Sequence, residues 1–434
     1  MAAALIVLVF LASFVLLYRG ILAEFQILGG GAALVLAIGA TSGVYPLGMA
    51  FDSIYFETLA MIFGMSALSA LLARAGLFAH LAERAARNSG GGARWVLLMM
   101  VLVTYAVSLA ANSLATMVVL VPITLNLCRR VGLNPVPVII AEIVAANLGG
   151  ASTMIGDFPN MILASVGHLH FNDFIAGLMP VCLVLLAALL VFYEVRAGDW
   201  HPVSPAVAAD VGPLDRAPGD DGLMRAGIMI AVATVSLLVL AGPLDLRPGP
   251  IAFLAGLAAL VVGRFSEDEL LHACGATDVL FFAALFVMVG GLLAAGVLDT
   301  TVVWLESVTR GHAGVRAVLL MWLAAATTLF IGAGSSAAVF APMAASLQLA
   351  GDSAAAWWAL SLGIMAGSSG ALYGATAGSL AMNQYVQFVR RHPETLATVP
   401  EGRDFTHREY MRWGMPLMGI FLGVSTVYIA VITP

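Results

Sequence analysis

Apolar runs of about 17 to 25 residues recur along the whole of this 434-residue chain. The residues are 61% hydrophobic and 10% charged, more apolar surface than a soluble globule could bury. Because the runs are continuous and do not alternate over about ten residues, they predict membrane-spanning helices and not an outer-membrane barrel. The first run, "AAALIVLVFLASFVLLY", lacks a basic n-region and a small-residue cleavage site, so we expect a retained helix and not a signal peptide.

We expect about ten crossings and two re-entrant hairpins. Segments 95–128 and 317–350 are too long for one crossing, and "AANSLAT" and "GAGSSAA" interrupt them near the middle. Such hairpins are allowed at membrane depth only where protein or a water-filled cavity surrounds them. The predicted crossings are about 2–18, 26–44, 54–73, 137–165, 174–196, 225–242, 249–264, 277–297, 357–389 and 412–432.

The basic residues orient this topology. All nineteen are arginine, and with both hairpins re-entrant sixteen of them fall on one face. Only Arg247, Arg310 and Arg316 fall on the other face. By the positive-inside rule the first face is cytoplasmic, which places both termini outside.

A polar segment divides the chain into two similar halves. Residues 197–224 are rich in Pro, Gly and Asp and predict a cytoplasmic linker. Each half carries an amphipathic arm, a hairpin and a Gly-rich interrupted helix, in opposite orientations, which is typical of the inverted repeats of secondary transporters. The predicted units are N-terminal helices 1–47, first repeat 48–196 with broken helix 137–165, the linker, connecting helices 225–276, and second repeat 277–434 with broken helix 357–389.

The stretch "GGASTMIGDFPN", residues 149–160, interrupts the first broken helix. Gly149 and Gly150 allow the chain to leave helical geometry there, and Pro159 lacks a backbone donor. Four oxygen-bearing side chains follow, which suit a small cation or a proton: Ser152, Thr153, Asp157 and Asn160. The N-terminus of the second half-helix would instead suit an anion. The alternative is that Asp157 and Asn160 only cap the second half-helix. A carboxylate at membrane depth costs about 2.5 to 3.5 kcal/mol, which favours a functional role.

Other polar residues are weaker candidates. Glu142, among Ile, Ala and Val in "IIAEIVAAN", must face the bundle interior, where loss of water favours the protonated form. It is either a proton relay or a hydrogen-bonded carboxyl that fastens two helices, and Asn147 follows it on the same helix. Glu57 and Asp278 begin crossings, and we expect them at the membrane interface without a role.

Several function classes find no support. Cys128, Cys182 and Cys274 lie far apart, so neither a disulfide framework nor a metal site is indicated. No zinc-protease, Walker, dinucleotide or nucleophile-elbow motif stands at a suitable place. We therefore expect no enzyme, no cofactor and no nucleic-acid partner, and a protein that works on ion gradients.

The runs "FETLAMIFGMSALSALLARAGLF" and "ANSLATMVVLVPITLNLCRRVGLNPVPVIIAEIVAANLGGASTMIGDFPN" resemble the ArsB/NhaD (P protein-like) branch of the ion transporter superfamily. The resemblance is specific over about residues 50–200 and weaker over 277–432. It implies an all-α polytopic fold of two inverted repeats, each with a re-entrant hairpin and an unwound helix. It also implies a small inorganic ion as partner in the lipid bilayer, namely H⁺, Na⁺ or an oxyanion, and leaves a homodimer open.

The family motifs are depleted in the second half. By position, the family's "GDPPN" becomes residues 156–160, with Phe158 in place of one proline, and its acidic-Asn pair at the first hairpin tip becomes Asn112 and Ser113. In the second half, "GGNGTLIGASAN" becomes "GSSGALYGATAG", and the hairpin tip has Gly332 and Ala333. Arsenite export and symmetric two-sodium coupling are therefore not expected.

These observations predict a proton-coupled secondary transporter with one retained site, similar to a Na⁺/H⁺ antiporter. The rival hypotheses are a transport-dead assembly component and, within the class, an arsenite or anion permease. We expect the bacterial inner membrane, or a magnetosome membrane derived from it, since the family has a magnetosome member of similar length and transport there would serve mineralisation. Glu142 and Asp157 would carry protons, and the predicted ion-binding residues are Asn112, Ser113, Thr116, Asn147, Ser152, Thr153, Asp157, Asn160, Ser368, Ser369 and Thr376.

Overall fold

The computed structural model describes residues 2–19, 22–88, 92–196, 220–349, 354–400 and 403–433. Every regular element in these ranges is helical. Nine of the described helices are long and apolar enough to cross a membrane, or ten when one bent pair is counted as a crossing. The predicted all-α polytopic membrane fold is confirmed.

The first half of the chain contains the N-terminal helices, the first arm, the first hairpin and the first broken helix. In order, the helices are α1 (Ala2–Arg19), α2 (Glu24–Ser42), α3 (Leu47–Asp52), α4 (Phe56–Arg74), α5 (Leu77–Asn88), α6 (Ala93–Ser108), α7 (Ser113–Val131), α8 (Pro135–Ser152), α9 (Phe158–Gly167), α10 (Phe171–Gly177) and α11 (Met179–Val195).

The second half repeats the order of arm, hairpin and broken helix. Its helices are α12 (Asp221–Ala241), α13 (Pro248–Gly263), α14 (Glu267–Ala273), α15 (Ala276–Ala294), α16 (Val297–Thr309), α17 (Ala313–Ile331), α18 (Ala333–Leu349), α19 (Ala355–Gly370), α20 (Gly378–Arg391), a 3-10 helix (Pro393–Thr398) and α21 (His407–Ile432).

Two predicted boundaries differ from the structure. The predicted crossing at 174–196 contains α10 and α11, which bend by 48° where Met179 and Pro180 begin the new helix. Residues 197–219 of the predicted linker lie outside the described residues. The last part of that segment is already helical, because the Asp220 carboxylate accepts hydrogen bonds from the backbone amides of Gly222 and Leu223 and so caps α12.

The two repeats pack reciprocally. In each repeat the first arm of the hairpin lies against the first half of the broken helix, α6 on α8 and α17 on α19. The second arm contacts both repeats: α7 packs on α8 and on α20 of the other repeat, and α18 packs on α19 and on α9 of the other repeat. Every residue of α8 and of α19 is buried, so these two half-helices form the centre of the molecule.

Close helix pairs flank this centre. A Cβ atom on Gly64 of α4 would lie 1.9 Å from the carbonyl oxygen of Ala252 in α13, and one on Gly256 would lie 2.6 Å from the Cα of Gly64. Backbones that approach this closely need glycine on both sides, as in other membrane helix pairs. Helix α15 contacts α4 and packs on α2, and the Tyr45 hydroxyl, just beyond the end of α2, donates to the Val287 carbonyl of α15 at 3.0 Å.

The α4–α13 contact gives a test of the packing. We expect Gly64→Ala to lower Tm in detergent by at least about 3 °C, because the added methyl group meets backbone that cannot move aside cheaply. Gly29→Ala is the matched control, since a Cβ on Gly29 of α2 meets nothing within 4 Å. Equal thermal unfolding curves for the two variants would contradict the close contact.

Candidate ion site between the broken helices

The first broken helix opens later than its glycines predict. Helix α8 continues through Gly149 and Gly150 to Ser152, and α9 begins only at Phe158. The glycines allow close approach instead. A Cβ on Gly149 would lie 2.5 Å from the Tyr105 carbonyl oxygen, and one on Gly150 would lie 2.7 Å from the Cβ of Asp157. The predicted exit from helical geometry at these two glycines is therefore wrong by a few residues.

The Asn160 side chain holds the break together. Its Nδ2 donates to the carbonyls of Gly150, Ala151 and Thr153 at 3.3, 3.0 and 2.8 Å. A helix end leaves such carbonyls without intrahelical partners, and in a membrane there is no water to satisfy them. Its Oδ1 accepts from the Ser361 hydroxyl of α19 at 2.7 Å. Asn160 thus joins both half-helices of one repeat to the core of the other.

The Asp157 carboxylate is buried and has only neutral hydrogen-bond partners. It caps α9 by accepting from the backbone amide of Phe158 at 2.9 Å, so the predicted capping role is present. The Thr376 hydroxyl, from the second interrupted segment, lies 3.4 and 3.5 Å from its two oxygens. None of the ion pairs in the described part of the chain involves Asp157. Its charge is therefore free to hold a proton or a cation.

A cavity of about 10 Å³ lies beside Asp157. This is about the space that one water molecule needs. The buried Asn147 carbonyl oxygen Oδ1 has no hydrogen-bond partner among the described residues, while its Nδ2 donates to the Ser369 hydroxyl at 3.4 Å. The lining residues are Asn147, Ala151, Asp157, Pro159, Asn160, Ala333, Ser361, Ile364, Met365 and Ser368. A small cation fits this space and a polyatomic carboxylate does not.

Several predicted ligands make hydrogen bonds elsewhere. Asn112 caps α7, where its Oδ1 accepts from the Ala115 amide at 2.7 Å, and Thr116 donates to the Asn112 carbonyl at 3.0 Å. The Ser113 hydroxyl is buried without a partner in the described chain, yet Ser113 does not line the cavity beside Asp157.

Two further predicted ligands hold the break against the first hairpin. Ser152 bonds the Tyr105 hydroxyl at 2.8 Å, and Thr153 donates to the Leu109 carbonyl at 2.8 Å. The structure thus brings together the first-repeat residues Asn147, Asp157 and Asn160 with the second-repeat residues Ser368, Ser369 and Thr376.

Glu142 does not line the cavity beside Asp157. It lies five residues before Asn147 on α8, which is about 7.5 Å along the helix. Its Oε1 accepts from the hydroxyls of Thr124 at 2.6 Å and Thr104 at 3.4 Å, and its Oε2 has no partner among the described residues. The carboxyl group therefore fastens α8 to both arms of the first hairpin.

A second cavity, of about 400 Å³, is lined by Phe158 and Thr376, the chain neighbour and the hydroxyl partner of Asp157. Thr376 lines it and also reaches Asp157, and Ala333 at the second hairpin tip lines both cavities. Glu24 and Asp278 line it. We expected Asp278 at the membrane interface without a role, and no sequence pattern singled out Glu24. Each acid stands in the first turn of an apolar helix. The periodicity of the sequence does not indicate that these two helix starts line the same cavity.

The sequence pattern of the citrate transporter family, CitMHS, matches residues 14–363. The chain belongs to this family. It is 60% identical to the magnetosome protein MamN of Magnetospirillum gryphiswaldense over 98% of both chains. It is 26% identical to the human P protein over 92% of this chain and 56% of the P protein. These matches confirm the predicted resemblance and make the chain a multi-span membrane transporter.

A solved structure supports the fold. The YdaH transporter of Alcanivorax borkumensis, which has an unusual topology, covers 90% of this chain and 87% of its own with a TM-score of 0.59. At 17% sequence identity this likeness concerns the fold alone.

The Asn160 hydrogen bonds give a second test. We expect Asn160→Ala to lower Tm by at least about 5 °C, because it leaves buried carbonyls and the Ser361 hydroxyl without partners. Asn126→Ala is the control, since Asn126 makes one local bond, to the Pro122 carbonyl at 2.9 Å. If thermal unfolding shows Asn160→Ala to be as stable as the control, the break does not depend on this side chain.

Proposed function

We propose that the chain is a secondary transporter that moves a small inorganic cation in exchange for protons, with Asp157 as the coupling carboxylate. The observation that carries the proposal is the buried Asp157, which has no cationic partner in the described chain and stands beside a cavity of about 10 Å³ between the two broken helices. A carboxylate in this position can hold either a proton or a cation. Because it cannot hold both, loading one releases the other.

The donor set favours a cation over an oxyanion. Asp157 and the free Oδ1 of Asn147 are hard oxygen ligands, and the Ser368 hydroxyl stands on the same cavity wall. The N-terminus of α9 has the partial positive charge that would attract an anion, but the Asp157 carboxylate already occupies it. An arsenite or anion permease would need that place for its substrate.

The contacts between the repeats suit alternating access. Asp157 to Thr376 and Asn160 to Ser361 join the first broken helix to the second repeat near the site. We propose that the hairpins and broken helices move together against the α4–α13 and α2–α15 pairs. The proposal keeps the predicted units, which are the N-terminal helices 1–47, the first repeat 48–196, the linker 197–224, the connecting helices 225–276 and the second repeat 277–434.

One observation favours a second candidate, a transport-dead assembly component. The second interrupted segment, residues 371–377, has no acid or amide, and its polar side chains are Tyr373 and Thr376. The second hairpin tip turns at Gly332, which has no side chain. A protein with one depleted repeat could keep the fold for its surface alone. Measured ion flux decides between the two candidates.

We propose the magnetosome membrane as the home of this transporter. MamN, with which the chain shares 60% identity along almost its whole length, is a magnetosome protein. Such a membrane would derive from the bacterial inner membrane and keep the orientation predicted from the arginines, with both termini outside the cytoplasm. Exchange of cations for protons across it would set the proton content of the vesicle in which mineral grows. A homodimer stays a prediction.

The main test is proton flux in liposomes that contain a pH-sensitive dye. We expect an outward Na⁺ gradient, or failing that K⁺ or Mg²⁺, to drive proton movement through the unaltered protein, and we expect Asp157→Asn to reduce it to the protein-free rate. Asp245→Asn is the matched control, because Asp245 is an exposed loop residue and asparagine also tolerates its positive φ of 51°. Absence of flux with all three cations would favour the assembly component.

A variant of Glu142 distinguishes a proton relay from a carboxyl group that only joins the helices. Glu142→Gln keeps an oxygen that can accept from Thr124 and removes the titratable proton, so we expect an unchanged Tm. If Glu142 relays protons, the same liposome assay will show flux reduced at least about tenfold. Flux at the unaltered rate, with Tm also unchanged, would leave Glu142 as a fastening group only.

A further inference from the structure

We propose that the cavity of about 400 Å³ is a cation-selective vestibule, in which Glu24 and Asp278 concentrate inorganic cations ahead of the small cavity and repel anions. This inference rests on the proposed function and narrows its substrate class. It assigns a role in ion selection to two residues that lie far from Asp157 in the sequence and that the break motifs do not include.

The charge of the cavity wall has one sign. Among its lining residues Glu24 and Asp278 are acidic, and the others are neutral side chains or glycines. Aromatic rings form much of the remaining wall, including Phe14, Phe281 and Phe282. A cleft with one sign of charge and low-dielectric walls focuses the electric field and raises the local concentration of counter-ions by roughly 10 to 10³-fold.

The two carboxylates line one cavity from different helices. Glu24 begins α2 and Asp278 stands in the first turn of α15. A helix N-terminus stabilises one acid through its dipole, which accounts for each residue separately. It does not account for two like charges on one cavity, because their repulsion opposes folding unless a cation or a bound proton offsets it.

An unpaired polar side chain deeper in the cavity also points to a ligand. Ser335 is 3% exposed and lines the cavity, and its hydroxyl makes no hydrogen bond within the described chain. It lies two residues beyond Ala333, which lines both cavities. The hydroxyl thus offers a cation one more oxygen on the cavity wall that Glu24 and Asp278 also line.

The basic residues near the cavity are not among the residues that line it. Arg19 follows Tyr18 at the end of α1 and is exposed, and His407 stacks on the outer face of the Tyr373 ring, with 4.2 Å between ring centroids. A multivalent carboxylate that entered the cavity would therefore meet two carboxylates and no lining base. Although the chain belongs to the citrate transporter family, the acidic wall of this cavity favours an inorganic cation and repels a tricarboxylate.

The test measures the field directly with two charged thiol reagents of similar size. Ser379→Cys places a thiol on the cavity wall, in a Cys274→Ser background that retains the fully buried Cys128 and Cys182. The reagents are the cationic MTSET and the anionic MTSES, and each rate on the purified full-length protein is divided by the rate with 2-mercaptoethanol. We expect the normalised rate of MTSET to exceed that of MTSES at least about tenfold.

The acidic pair must be the cause of this preference. Adding Glu24→Gln and Asp278→Asn should bring the normalised ratio close to one, whereas neutralising the exposed pair Glu267 and Asp268 on α14 should leave it unchanged. A ratio near or below one before neutralisation overturns the proposal, as does a ratio that the Glu24 and Asp278 changes do not alter. If Ser379→Cys does not fold, Asn383→Cys on the same wall replaces it. A thiol on this wall that reacts with neither reagent also overturns the proposal.

The outcome is independent of transport. Asp157→Asn should abolish cation-driven proton flux and keep the reagent ratio, since the vestibule charges are intact. Neutralising Glu24 and Asp278 should raise the half-saturating cation concentration about tenfold at low ionic strength, with the maximal flux unchanged. If the protein with Asp157 intact shows no flux but keeps the ratio, the proposed transport is refuted; if it shows flux but no preference for the cationic reagent, the vestibule is refuted.

Discussion

The side chain of Asn160 supplies the hydrogen bonds on which the centre of this protein depends. A helix that stops in the middle of a membrane leaves carbonyl groups that water cannot reach. Asn160 returns to three of these carbonyls and accepts from Ser361 of the other repeat. With the backbone satisfied in this way, the Asp157 carboxylate and the Asn147 oxygen are left for an ion. One amide therefore allows both the break in the helix and the chemistry beside it.

Hydrophobic run length and the polar interruptions predicted most of the fold, because a bilayer permits few alternatives for an apolar chain. The position of the break was missed because Gly149 and Gly150 carry two meanings in a sequence, flexibility and close approach, and here they serve the second. The site was predicted in part. Asp157 and Asn147 stand out as polar groups in apolar helices, whereas the meeting of Glu24 with Asp278 depends on tertiary packing that no local pattern encodes.

The two repeats have the same order of helices but contribute different side chains to the candidate site. The first repeat provides the carboxylate and both amides of the candidate site. The second contributes hydroxyl groups that bond to them, from Ser361, Ser369 and Thr376. The depleted second motif thus acts as a wall for the first site, and its losses do not by themselves argue against transport. An asymmetric site of this kind suits a single bound ion better than a matched pair of ions.

The volume of the small cavity has a consequence for which ion can use it. A space of about 10 Å³ holds one water-sized particle, so on the proposed function an ion must leave its hydration shell before it reaches Asp157. Mg²⁺ gives up its water reluctantly, while monovalent ions do so at far lower cost. On that proposal, the size of the small cavity selects ions by how tightly they hold water as well as by the sign of their charge.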